Sequence, residues 1–221
     1  VSQYYSRAGN FVTDAEGNLR AQSGEFVMGY TPQSPDTLVP LNLTTTASAA
    51  TPTTLVTLNG NLDSSTPAQE NPPNTSNWVD LNNGTAFRTT VQVVDSLGER
   101  HDISLHFFKT GNLTWTAQAF VDGAATGGTE DTPVPVSGTG TAITFNGQGL
   151  QADGAAATLN VNVPWGNGAA QSQIAIDLSS FTGFVSASAV SSVSSDGNMA
   201  GNISGYDIRD DGALVALLDN G

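Results

Sequence analysis

The sequence contains no cysteine, few positive charges and no long apolar run. Without cysteine, neither a disulfide framework nor a thiolate metal site is available, so stability must come from packed cores. Six Lys and Arg residues stand against twenty Asp and Glu residues, and the formal net charge of -14 opposes attraction to phosphate backbones or anionic lipid. We therefore expect neither nucleic acid nor a membrane as a partner. No stretch approaches the roughly 18 to 20 apolar residues of a membrane span, and the N-terminus lacks a signal-peptide pattern.

The sequence also lacks the spacing of an amphipathic helix. In no window of about a dozen residues do apolar positions recur at i, i+3, i+4 and i+7 without an interruption by glycine, proline or a β-branched run. Instead, short runs of β-branched and aromatic residues alternate with turns rich in Asp, Asn and Gly. Only 12% of the residues are charged, so Ser, Thr, Asn and Gln make the polar surface, which suits strands and loops. These features predict an all-β fold.

The clearest strand pattern lies in the middle of the chain. Thr89–Val94, Asp102–Lys109 and Leu113–Val121 are separated by short turns at 95–99 and 111–112, which predicts three consecutive antiparallel strands. In the second and third of these runs, alternate residues are apolar, so each strand has one apolar face. The residues on these faces are Ile103, Leu105 and Phe107, and Leu113, Trp115, Ala117, Ala119 and Val121. We expect these faces to form a core.

We predict two β domains, one of them discontinuous. Residues 1–45 and 186–221 contain short-strand meanders of the same style, and we expect them to form one trunk domain. In this trunk, the segment Ala187–Leu218 is expected to supply strands that Tyr4–Tyr30 lacks. Residues 46–185 are then an inserted outer domain with a β-barrel or sandwich-like fold.

The first domain boundary is predicted from a change in composition. Near Thr46 the chain has a run of small and β-branched residues without apolar periodicity, as expected of a crossing between domains. Within the insert, residues 64–77 and 122–140 are rich in Pro, Gly, Thr and Asn. We predict that both segments are exposed loops.

The residue types that carry catalysis are sparse. His101 and His106 are the two histidines, and strand alternation places them on opposite faces, so they are not expected to bind one metal ion together. Both are expected at an edge or on the surface. Lys109, the single lysine, is expected to be solvated at a strand end. No motif for a nucleophile elbow, a zinc site or a phosphate loop is present, so we predict no catalytic, cofactor-binding or metal-binding residues and no enzyme activity.

Two acidic turns have some likeness to calcium loops. These are Asp14-Ala15-Glu16-Gly17-Asn18 and Asp207-Ile208-Arg209-Asp210-Asp211-Gly212. A helix-loop-helix calcium site needs oxygen ligands at alternate positions before the glycine and a bidentate glutamate after it. Neither turn has this pattern, and predicted strands flank both, so we interpret them as hairpin turns.

The three tryptophans raise the possibility of a glycan-binding platform. Aromatic rings stack on the apolar faces of sugars, and Trp78 and Trp165 lie beside loops where such rings would be exposed. Trp115 lies on the apolar face of its strand and is expected in the core. An adhesin-like glycan-binding sandwich therefore stays an alternative, and it requires Trp78 and Trp165 to lie together in an exposed groove.

Four motifs follow one another along the chain. They are Tyr4-Tyr5-Ser6-Arg7-Ala8-Gly9-Asn10-Phe11 with the closing pair Gly29-Tyr30; Val93-Val94-Asp95-Ser96-Leu97-Gly98 with His101-Asp102 and Phe107-Phe108-Lys109-Thr110 before Trp115; Phe145-Asn146-Gly147-Gln148-Gly149-Leu150; and Asp196-Gly197 to Gly201 with Asp210-Asp211-Gly212 to Asn220-Gly221. Together they resemble the bacterial flagellar hook protein family and its axial relatives. The first and last motifs are shared with rod proteins, whereas the middle pair is similar to the outer domain of hook proteins. The resemblance therefore favours hook over rod.

The resemblance implies a mechanical function. It implies a structural subunit of a hollow helical tube, the hook, which is a universal joint that transmits torque from the motor and rod to the filament. The implied partners are copies of the chain itself and the rod, hook cap and hook-filament junction proteins, and the implied location is extracellular, after export by the flagellar secretion apparatus. A distal rod-like axial protein is the alternative within this group.

The resemblance also bears on the extent of the chain. In the family, long terminal helices line the tube, the β trunk forms the middle shell and the outer domain contacts its neighbours. No such helices are recognisable in this sequence. We therefore expect a core fragment that lacks the terminal helical segments and is monomeric by itself.

Overall fold

The computed structural model describes residues 4–5, 9–31, 33–43, 49–69, 76–152, 157–201, 203–209 and 211–219. Its helices are α1 (Trp78–Asn83) and a short 3₁₀ turn (Gly123–Thr126), and no described helix has the length and apolar character needed to cross a membrane. The all-β prediction is confirmed. The strands are β1 (Phe11–Thr13), β2 (Leu19–Ala21), β3 (Met28–Thr31), β4 (Ser34–Pro40), β5 (Leu55–Asn61), β6 (Phe87–Val94), β7 (Arg100–Lys109), β8 (Thr114–Asp122), β9 (Pro133–Pro135), β10 (Thr141–Thr144), β11 (Thr158–Val163), β12 (Ser172–Thr182), β13 (Ala189–Ser195), β14 (Ile203–Ile208) and β15 (Leu214–Leu218).

The chain divides into two compact units. Val1–Ala49 and Ala200–Gly221 form one of them, here called the terminal unit, and Ala50–Met199 forms the other, here called the central unit. The predicted boundary near Thr46 lies outside the described residues. The predicted second boundary, at residue 186, differs from the structure, which assigns residues 186–199 to the central unit.

The terminal unit is built from two-stranded antiparallel sheets. β1 pairs with β2, β3 with β4, and β14 with β15. Backbone hydrogen bonds from Leu19 N to Leu41 O (2.8 Å) and from Val27 N to Leu19 O (2.9 Å) connect the N-terminal pairs. The C-terminal strands were predicted to complete the N-terminal meander, but in the described residues they form a sheet of their own. Strands close in sequence pair at a lower entropic cost of loop closure than strands far apart.

The central unit is a sandwich of two sheets. One has the order β10-β8-β7-β6, with β9 beside β8, and the other has the order β11-β12-β5-β13. Apolar side chains from both sheets form one core, including Leu58 on β5, Phe107 on β7 and Ile176 on β12. The predicted strands around β6, β7 and β8 are confirmed, with antiparallel pairing throughout. Of their predicted apolar faces only Leu113 is outside the core, with 38% of its surface exposed.

β13 corrects the predicted composition of the trunk. It was assigned to the second trunk segment, but it pairs antiparallel with β5, and Val193 lies opposite Leu58. β5 also pairs in parallel with β12 on its other side. The Asp196 carboxylate, just after β13, accepts hydrogen bonds from Thr54 and Leu55 N at 2.9 and 3.0 Å. These contacts satisfy the N–H groups of the residue before β5 and of its first residue. They therefore bind the segment after β13 to the start of β5, within the central unit.

One of the two predicted loops contains regular structure, and a short helix follows the other. In the first, residues 70–75 lie outside the described residues, and directly after it helix α1 begins at Trp78, with Asn77 Oδ1 accepting from Asp80 N at 2.8 Å as the N-cap. Its six residues are too few to show a helical apolar period, so the sequence pattern missed it. In the second, the 3₁₀ turn and β9 follow β8, and Val136 is buried. The prediction of a long exposed loop at 122–140 was therefore wrong in part.

Candidate functional sites

A buried carboxylate organises one end of the sandwich. Asp95 follows β6 and is fully buried. Its Oδ1 accepts from Leu97 N (2.8 Å) and Glu99 N (2.9 Å), and its Oδ2 lies 2.8 Å from His101 Nε2 and accepts from Asn167 Nδ2 (2.7 Å). Burial by itself raises the pKa of Asp95, but these donors outweigh it and lower the pKa to about 2. Asp95 is therefore a charged acceptor whose hydrogen bonds are satisfied within the protein.

The same cluster contains the residue types of a metal site. Ligand atoms of Asp95, Glu99 and His101 lie within 4.8 Å of one another. However, Asn167 Nδ2 donates to both Asp95 Oδ2 and Glu99 Oε2 at 2.7 Å. Asn167 Oδ1 accepts from Ala169 N, which fixes the orientation of the amide. An amide N–H group thus bridges the two carboxylates where a cation would have to bind, so the cluster is a hydrogen-bonded clasp.

This clasp connects two turns that are far apart in sequence. Trp165 stacks on His101 with ring centroids 3.9 Å apart, and Ala170 N donates to Ser96 Oγ at 2.8 Å. The turn after β6 is thereby joined to the turn between β11 and β12. Sequence reasoning identified 95–99 as a turn, but nothing in the local pattern pointed to Asn167 as its partner.

His106 is buried, contrary to the expectation of an edge or surface position. It lies on the face of β7 opposite the core side, which agrees with alternation, and helix α1 covers that face. Its Nε2 is 2.9 Å from Ser104 Oγ and its Nδ1 is 2.8 Å from Thr85 Oγ1. A serine beside a histidine has the composition of a catalytic pair. Here the group that orients the ring is a hydroxyl and the ring has no exposed surface, so the arrangement does not support nucleophilic chemistry.

Lys109 also departs from its prediction. Lys109 is only 2% exposed. Its Nζ donates to Ser64 O at 2.5 Å and lies 5.6 Å from the centroid of the Trp115 ring. Gln69 N donates to Lys109 O at 2.8 Å. The lysine therefore holds the segment after β5 against the sandwich, and the expectation of a solvated side chain was wrong.

The tryptophans do not form an exposed platform. Trp115 is in the core, as predicted. Trp165 is 6% exposed and its Nε1 donates to Ser172 Oγ, whereas Trp78 packs beside Leu81 and Phe120 on the outer face of the sheet. A sugar requires accessible ring faces. The burial of Trp165 removes the glycan-binding alternative.

The acidic turns are hairpin turns. Asp14 accepts from Asn18 N (2.7 Å) and forms a 2.6 Å ion pair with Arg20 Nε. The hydrogen bond from Arg20 is the largest of the effects that lower the pKa of Asp14 to about 2. In the second turn Asp210 lies outside the described residues, and Arg209 N donates to Ala213 O across the β14–β15 connection. The Asp14 carboxylate is thus used by donors of its own hairpin.

Comparisons with known proteins agree with this architecture. Residues 57–198, which make up most of the central unit, match the family model described as "Flagellar basal body protein FlaE D2 domain". The flagellar hook protein FlgE of Escherichia coli is 31% identical over 99% of this chain, and that of Rhizobium meliloti is 30% identical over 99%. These alignments cover 54% and 52% of the two relatives, so the chain spans about half of their length.

A solved structure shares the fold over nearly the whole chain. The Helicobacter pylori flagellar hook protein FlgE2 superimposes with a TM-score of 0.57, covers 98% of this chain and 78% of its own, and is 12% identical in sequence. At that identity the likeness concerns the fold. The family model, by contrast, matches more than half of the chain at the level of sequence. The chain therefore belongs to the flagellar hook protein family.

Proposed function

We propose that this chain is the central part of a structural subunit of the bacterial flagellar hook. In this proposal, copies polymerise into a flexible tube that acts as a universal joint and transmits torque from the rod to the filament. The observation that carries it is the match of residues 57–198 to the hook-family domain, together with hook proteins that align with 99% of the chain.

The physical character of the chain supports a mechanical function. The chain has no cysteine, so no disulfide opposes export in an unfolded state. Only 12% of its residues are charged, so few ion pairs between neighbouring subunits would have to break as these subunits move. Subunits that slide past one another as a tube bends need contacts of this kind. We infer no catalytic activity, since the geometry around His106 and Lys109 gives each a structural use.

We further propose how the two units correspond to the parts of a hook subunit. The terminal unit would be the trunk and the central unit the outer domain, with boundaries at the unit limits near residues 50 and 199. The partners would be other copies of the chain and the rod, cap and hook-filament junction proteins. The assembled protein would be extracellular, after flagellar export.

The test is deletion of the complete gene that encodes this chain in its source bacterium, followed by electron microscopy of isolated basal bodies. We expect rods without hooks and loss of motility, both restored by the intact gene. Basal bodies that also lack the distal rod would identify a rod subunit instead. Hooks of normal form in the deletion strain would show that the proposal is wrong.

A further inference from the structure

Helix α1 is attached to the outer face of the sheet through a small buried cluster. Leu81, Phe108 and Phe120 form this cluster, with Trp78 packed against it. His106 belongs to the same layer, because its ring centroid lies 6.1 Å from that of Trp78 and meets Phe120 edge-on at 5.2 Å. A helix of six residues is not stable by itself in water. The attachment of α1 therefore depends on these contacts.

The hydrogen bonds around His106 define its protonation. Thr85 Oγ1 donates to Leu81 O at 2.6 Å, so this hydroxyl accepts from His106 Nδ1–H. The other ring nitrogen, Nε2, then accepts from the Ser104 hydroxyl. The network satisfies a neutral imidazole with hydroxyl partners on both sides. It also joins the ring to α1, because Thr85 connects it to the carbonyl of Leu81.

No acidic partner is available for a protonated ring within the described residues. On β6, Arg88 lies directly opposite His106 in the strand register. On β8, the neutral Gln118 lies opposite, and the nearby Asp122 accepts from Trp78 Nε1. On α1, the Asp80 carboxylate accepts from Asn77 Nδ2. A proton on His106 would therefore place a desolvated positive charge beside another cation.

We propose that His106 is a pH-sensitive latch for helix α1: protonation of its ring weakens the packing of Trp78 and Leu81 on the sheet and releases the helix. The remainder of the sandwich keeps its own core, since His106 lies on the face that the main core does not use. The latch follows from the central unit alone and does not require the chain to be a hook subunit.

The pKa of His106 determines that acid, rather than base, releases α1. Burial of the ring, and after it the charge of Arg88, lower the pKa of His106 from 6.5 to about 4. With α1 released, the ring would be in water and regain its ordinary pKa. The free energy that holds α1 in place is therefore complete above pH 6.5 and declines as the pH falls from 6.5 toward 4.

The test combines histidine titration with amide hydrogen exchange by NMR on the complete chain. We expect His106 to titrate below pH 5.5, and the protection factors of the Leu81 and Gly84 amides, which donate within α1, to fall about tenfold between pH 7 and pH 5. The amide of Leu178, bonded to Ala157 O in the other sheet, reports global unfolding and should stay more strongly protected than the α1 amides at both pH values, because α1 opens without unfolding of the sandwich.

Two variants provide the controls. His106→Gln keeps hydrogen-bonding capacity without titrating, so the pH dependence of α1 protection should disappear. Arg88→Gln removes an exposed facing charge, and the loss of protection between pH 7 and pH 5 should become smaller. A His106 ring that titrates at its ordinary pKa with unchanged α1 protection would overturn the latch. Wild-type pH dependence in His106→Gln would overturn it as well.

Discussion

The central and terminal units differ in how they bury apolar side chains. In the central unit two sheets enclose a continuous core in which large side chains such as Phe107 and Trp115 are buried. In the terminal unit the described sheets have two strands each, and its buried apolar residues among those described are Leu19 and Leu43. Isolated two-stranded sheets are marginally stable in water. We therefore expect the central unit to fold by itself and the terminal unit to have less stability of its own.

The exposed side chains extend this comparison. Tyr5 and Tyr30 in the terminal unit are 90% and 64% exposed, although tyrosine is intermediate in burial in folded proteins. In the proposed hook, contacts with neighbouring subunits would cover such rings. The stability of the terminal unit would then depend on assembly, while that of the central unit would not.

Expressing parts of the two units separately should have the largest effect on folding. The chain enters and leaves the central unit at adjacent points, because Thr51 and Asn198 exchange backbone hydrogen bonds of 2.8 and 2.9 Å. We expect residues 50–199, expressed alone, to fold, and residues 1–49 alone to be unfolded. Circular dichroism melts and NMR amide dispersion measure this. A 50–199 fragment without a cooperative melt would contradict the claim that the central unit is self-sufficient.

A matched pair of aromatic truncations should show the next largest difference. Phe107 is fully buried, with its ring centroid 5.4 Å from that of Phe181, so Phe107→Ala should lower the free energy of unfolding of the central unit by about 3–5 kcal/mol. Tyr30→Ala should change stability by about 0.5 kcal/mol or less, since the ring is mainly in water. Urea unfolding followed by fluorescence compares the two. Equal losses would contradict the proposed difference between the units.

Replacement of the buried Asp95 carboxylate should lower the free energy of unfolding less than the loss of a core ring. Asp95→Asn removes a charged acceptor from a fully buried network and should destabilise the central unit by about 1–3 kcal/mol. Because the pKa of Asp95 is lowered from 3.8 to about 2, its contribution is complete above pH 3.8 and is lost as the pH falls toward 2. Acid unfolding of this variant should depend less on pH over that interval. Asp102→Asn, at an exposed position of β7, is the control and should behave like the wild type.

Replacement of Asp14, whose ion pair with Arg20 lies in the terminal unit, should have the smallest effect on stability. The pKa of Asp14 is also lowered to about 2, but Arg20 in its ion pair is 32% exposed at the side chain. Asp14→Asn should slightly weaken the β1–β2 hairpin, and about 1 M salt should remove most of the difference. Exchange protection of the Asn18 region measures it. If salt leaves this effect unchanged while reducing that of Asp95→Asn, the contrast between exposed and buried carboxylates is wrong.

Local sequence patterns predicted the strands better than their partners. Alternation identified the face formed by Ile103, Leu105 and Phe107, because every second side chain of a strand points to the same side. It also placed His101 and His106 on opposite faces. It did not reveal that α1 covers the outer face, and so His106 was expected at the surface. Burial of a polar residue depends on what another segment places over it, and a local pattern does not contain that information.

Residue periodicity and turn propensity were enough to predict the β class and the turns at 14–18 and 95–99. The predicted boundary at residue 186 differs from the unit limit at residue 199, because β13 pairs within the central unit. Only the tertiary structure decided that β13 pairs with β5, that Lys109 holds the Ser64 carbonyl, and that Asn167 completes the Asp95 clasp. The physical reason is that these contacts join groups far apart in the chain, with 45 residues between Lys109 and Ser64 and 72 between Asn167 and Asp95. Their formation depends on the packing of the whole sandwich, which no local pattern encodes.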